Sequence, residues 1–73
     1  MAIAVVTVDF ADSDEETASW SLASSNPKII GYGVTITDGD GPVGINFKNV
    51  TSSGATVEAT GEFTGSVDIT VSD

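Results

Sequence analysis

Apolar and polar residues alternate along most of the chain, and no stretch of helical length carries a 3.6-residue period. Val6, Val8 and Phe10 fall on one side of a first strand, opposite Val5, Thr7 and Asp9. Ala18, Trp20 and Leu22 fall on one side of a second, opposite Thr17, Ser19 and Ser21. The third and longest has Ile30, Tyr32, Val34 and Ile36 facing one way and Ile29, Gly31, Gly33 and Thr35 the other. Val43, Ile45 and Phe47 mark a fourth strand; Val57, between Ala55 and Ala59, a fifth; and Val67, Ile69 and Val71 a sixth. Turn chemistry separates them at 23–27, 38–42, 52–54 and 61–65, where Gly, Pro, Asn, Asp and Ser collect. The charged run 12–16 reads as a solvated loop.

The pattern predicts an all-β fold, a small antiparallel β-sandwich of about six strands in one domain spanning 1–73. The expected core is Val6, Val8, Phe10, Trp20, Leu22, Ile30, Tyr32, Val34, Ile36, Val43, Ile45, Phe47, Val57, Val67, Ile69 and Val71. Ile3 and Val5 lie opposite Val6 and Val8, and Ile29 lies opposite Ile30, so these strands are apolar on both faces. A domain of 73 residues buries only about 60% of the surface of its unfolded chain. Ile3, Val5 and Ile29 are therefore expected at an interface with another subunit. The paired glycines Gly31 and Gly33 signal a bulge, a bend, or another backbone lying close.

Composition narrows the chemistry. There is no cysteine and no histidine, which removes disulfides, thiolate sites and the usual neutral-pH acid/base. Eleven acidic residues stand against Lys28 and Lys48, giving a net charge of −9. Nucleic acid and anionic membrane surfaces are poor partners for such a chain, because both demand cations. Solubility, a cation or basic-partner site, and adaptation to molar salt all accommodate the acidity. The scarcity of lysine, with Thr and Ser on the polar strand faces, favours high salt, where self-repulsion is screened. No segment resembles a secretion signal or a membrane-spanning stretch, so the expectation is a complete chain made in the cytoplasm.

Serines without an activating base give no nucleophile, and an acidic run without apolar cover gives no raised carboxyl pKa, so no catalytic residue and no enzyme is expected. No cofactor is expected either. Asp12, Asp14, Asp38 and Asp40 are the only candidate metal ligands, and they are weak ones. Counting from Asp12 or from Asp38, the sixth and twelfth residues are not the glycine and glutamate of an EF-hand loop. Asn49-Val50-Thr51 is a formal glycosylation triplet. Trp20 and Tyr32 are candidates to stack on a sugar, but they fit more readily as core.

Three segments together resemble the small β-sandwich of H-type lectin domains and their relatives in phage and virus structural proteins. They are the opening strand through Val5, Thr7, Asp9 and Phe10 with the later Pro27-Lys28-Ile29-Ile30-Gly31-Tyr32, the hairpin from Asn49 to Val57, and the closing strand from Gly65 to Val71. Ala55 departs from the aromatic usual in that hairpin, and the family's sugar contacts have no counterparts here to carry over. The resemblance implies a six-stranded sandwich that forms trimers or rings within a virion. With the acidic composition, the expectation becomes a capsid decoration, turret or tail subunit of a virus of a halophilic host. Its partners would be its own copies and other virion proteins. A carbohydrate- or receptor-binding module of a fibre, and an intracellular halophilic domain for a basic partner, are the alternatives.

Overall fold

One strand organises the molecule. In the computed structural model, which describes residues 3–22, 26–39 and 43–73, the last strand runs unbroken for 19 residues and every other strand pairs with it. The elements are β1 (Ile3–Ser19), β2 (Lys28–Gly39), β3 (Ile45–Thr51) and β4 (Gly54–Ser72), all antiparallel to β4 in one four-stranded sheet. No helix occurs among the described residues. β1 follows β4 along its whole length, while on the other side β3 pairs with its first part and β2 with its second.

A straight strand of 19 residues would reach about 63 Å, yet the longest dimension of the molecule is 37 Å. β1 and β4 therefore bend back together, and the register shows where. Between the pairs Ser13–Phe63 and Glu15–Glu58, four residues of β4 face the single Asp14. Asp12 has a left-handed φ of 53° at the same place. Such irregularities kink a strand and sharpen its twist. On one side of this corner lies an arm made of the N-terminal part of β1, the C-terminal part of β4, and β2. On the other lies an arm made of the remainder of β1 and β4 with β3.

The core forms from both arms: Val8, Phe10, Val67, Ile69 and Val71 from one, Ala18, Trp20, Ala55 and Val57 from the other, and Phe63 at the corner. Val6, Leu22, Val34, Ile36, Val43, Ile45 and Phe47 pack against it, as their alternation predicts. Gly65 permits the close approach of β2 to β4, since any Cβ there would collide with the Thr35 carbonyl oxygen. Trp20 is only 7% exposed and donates from Nε1 to the Thr51 carbonyl at 3.1 Å, so its polar edge is satisfied within the core.

Several expectations are revised. The acidic run 12–16 belongs to β1 and is no loop: Asp12, Asp14 and Glu15 are exposed on a kinked stretch of ladder, where charge and strand are compatible, and Ser13 and Glu16 are half-buried. The turn expected at 61–65 is instead the corner of a continuous β4, and Phe63 within it is buried. Two pairs of expected strands thus merge, which turns six segments into four strands. The chain does turn at 52–54, as its Ser-Ser-Gly sequence predicts, and β2 ends at Gly39 with φ 138°.

Candidate functional site

The exposed apolar residues concentrate on the arm built from β1, β4 and β2. Val5 is 70% exposed, Ile30 55%, and Ile3 and Tyr32 52% each. Two surfaces result, one on the outside of the sheet and one along its open edge.

The outer surface is set by the β1–β4–β2 register. Ile3, Ser72 and Lys28 form one row across the three strands; Val5, Thr70 and Gly31 the next; Thr7, Asp68 and Gly33 the third. Thr7 Oγ1 donates to Asp68 Oδ1 at 2.8 Å, which fixes both on this face. Ile3 and Val5 therefore stand out from the side opposite Ala4, Val6 and Val8, as period-two alternation requires. Nothing within the described chain covers them.

The open edge arises because β2 and β3 each pair with β4 and not with one another. Pro27, Ile29, Ile30, Tyr32, Phe47 and Val50 line a groove of about 530 Å³ between them. The Tyr32 and Phe47 rings meet edge to face, with centroids 5.3 Å apart and planes at 77°. This contact ties the two arms together while leaving about half of Tyr32 exposed.

A bulge corrects the reading of β2. The ladder runs Ile29–Val71 and then Gly31–Thr70, leaving Ile30 unpaired. Ile29 consequently turns inward and packs against the core, and Ile30, expected inside, takes the exposed position. Ile29, expected at a subunit interface, lines the groove and belongs to the inner face. Ile3 and Val5 are exposed. The pattern does not single out Val50. The only signal for it is Asn49, whose left-handed φ of 55° turns the chain before it.

The metal candidates are not assembled. Asp12, Asp14 and Asp38 are exposed, and Asp40 lies outside the described residues. Asp12 and Asp38 flank Thr64 from opposite sides of β4, with the Asp12 amide donating to Thr64 Oγ1 at 3.0 Å. No group of three metal-ligating side chains occurs among the described residues. The glycosylation triplet has a structural reason: Thr51 Oγ1 accepts from the Ser53 amide and donates to the Gly54 carbonyl, closing the β3–β4 turn.

Lys48 carries the clearest electrostatic arrangement. Glu15 of β1 sits directly opposite Glu58 of β4, a repulsive pairing in a ladder. Lys48 of β3 reaches both carboxylates at 3.0 Å, and Asn46 Nδ2 also donates to Glu58 at 3.2 Å. Hydrogen bonds to Glu15 and then Glu58 hold the Lys48 pKa above its ordinary 10.5. Those from Lys48 and then Asn46 hold Glu58 below its ordinary 4.5. The Glu58 contribution to stability is thus present above about pH 4.5 and lost as pH falls through its lower folded value; that of Lys48 is present below 10.5 and lost above its raised value. Lys48, Glu15 and Glu58 together tie three strands on an exposed face.

No protein-family model matches this chain, and no curated protein or solved structure matches it either. Its function must be read from its own surfaces.

Proposed function

We propose that this chain is a non-enzymatic structural subunit that works by assembling with copies of itself and docking to neighbouring proteins. Its concrete setting is a virus particle of a halophilic host, as a capsid decoration, turret or tail component. The observation that carries the assembly role is the exposure of Val5, Ile3 and Ile30 on one small arm. Apolar side chains of this size each gain about 1.5–3 kcal/mol on burial. In a domain whose own core is marginal, leaving three of them in water is costly unless a partner covers them. Hydrophobic contact of this kind persists in strong salt, where surface ion pairs contribute little.

The virion setting draws on the resemblance to H-type lectin-like sandwiches, and we read the folded-back sheet as a small β-sandwich of that kind. The acid-rich, lysine-poor composition supports the halophilic host. A sugar-binding role is less well supported: Trp20 is committed to the core, and Tyr32 is the one half-exposed aromatic among the described residues, in a groove lined by aliphatic side chains. Immunogold labelling of purified particles with an antibody to this chain tests the setting. Regular labelling of intact particles is the expected result; label confined to host cytoplasm, with bare particles, contradicts it.

A further inference from the structure

Neither space nor backbone angle requires glycine at Gly31, which follows the Ile30 bulge, or at Gly33. Neither has a left-handed φ, and a Cβ built on either meets nothing within 4 Å. Gly65, by contrast, is required by the Thr35 backbone. Glycine inside a strand weakens it, so two of them on an open outer face need an explanation outside the chain. They lie in the same two rows as the exposed Val5 and the hydrogen-bonded Thr7–Asp68 pair.

We infer that this outer face is where two copies of the chain stack, antiparallel, about a two-fold axis crossing β4 at Thr70. The inference rests on the assembly reading above and names its contact surface. In this arrangement the Val5–Thr70–Gly31 row lies on its own equivalent, and the rows through Ser72 and Asp68 exchange places. Val5 meets the second copy's Val5, and Ile3 meets its Thr7. Lys28 lies over Gly33 of the other copy, where the missing side chain leaves room for its stem and brings its ammonium beside Asp68. Lys28 has no ion pair among the described residues, and Lys48 is already held by two glutamates. The stretch 3–8 carries no charge, so two anionic molecules can approach there without carboxylates meeting. A self-complementary patch under a two-fold axis needs apolar meeting apolar and cation meeting anion, and this face supplies both. Such pairing differs from the trimer or ring that the family resemblance implies.

Two variants and one control test it in molar salt. The chain has no cysteine, so Val5→Cys offers a single thiol for a short bis-maleimide, with Ser52→Cys at the far turn as control. Covalent dimers are expected from the first and not from the second. Gly33→Thr is expected to raise the melting temperature of the dissociated chain and to weaken pairing by about tenfold or more, because the new side chain occupies the space of Lys28. Self-association that persists with no cross-linked dimer from Val5→Cys and no effect of Gly33→Thr overturns this contact and leaves the assembly reading standing. A lower melting temperature for Gly33→Thr in the dissociated chain also overturns it, by showing an internal need for glycine. A wild-type chain that stays monomeric overturns both.

Discussion

Replacing Phe63 by alanine is expected to remove much of the domain's stability in one step. Phe63 is fully buried and stacks on Phe10, with ring centroids 4.7 Å apart and planes at 18°. It sits where β1 and β4 fold back, opposite Ser13 on one side and Gly39 on the other, so its ring joins both neighbouring strands at the corner. Truncating a buried phenylalanine costs about 3–5 kcal/mol, from lost transfer energy and from the cavity left behind. A 73-residue domain has about 4–11 kcal/mol in total. At about 4–8 °C per kcal/mol for a domain of this size, the melting temperature should fall by at least about 12 °C. A circular-dichroism melt in molar potassium chloride measures it. A fall under about 4 °C would mean that the ring is not packed at the corner as described.

Diluting the salt is expected to destabilise the wild-type chain. For a radius of gyration of 12.0 Å, the root-mean-square separation between charges is about 17 Å. At about 0.1 M salt the Debye length is about 10 Å, so each like pair at that distance retains about 0.04 kcal/mol of repulsion. A net charge of −9 amounts to some three dozen such pairs, hence about 1.5 kcal/mol. At about 1 M the screening length is about 3 Å and the sum is negligible. The melting temperature should therefore drop by roughly 6–12 °C on dilution in potassium chloride, at fixed protein concentration. Lys48→Gln leaves Glu15 facing Glu58 with no cation between them, and should steepen that slope. A melting temperature independent of salt would remove the halophilic reading and leave the acidity as plain solubility.

Strand character was legible because alternation is a local property of the chain. Val8, Phe10, Trp20, Val57, Val67, Ile69 and Val71 all lie in the core that their period predicts. What alternation does not encode is where a ladder breaks step. One unpaired residue at Ile30 exchanged the faces of two identical isoleucines; the glycines at 31 and 33 signal a bulge among other readings, but nothing in Ile29-Ile30 tells which isoleucine it displaces. Continuity across the corner was hidden for a related reason. Gly61 and Gly65 resemble turn residues, and five consecutive residues at 12–16 include four carboxylates, so both segments read as interruptions. In the fold they are the bent middles of long strands, and Phe63 is buried because the bend aims it inward. Of the candidate surface, Ile3 and Val5 were visible as apolar residues on the wrong side of a strand. The groove was not, because it depends on β2 and β3 meeting the same partner at different places along its length.

Sedimentation velocity across the micromolar range, in molar salt, bears most directly on whether neighbours shield the uncovered aliphatics. The account predicts a species of at least twice the chain mass of 7.4 kDa, persisting on dilution to low micromolar concentration. A single 7.4 kDa boundary at every concentration, from a chain that is folded and thermally robust, would contradict it.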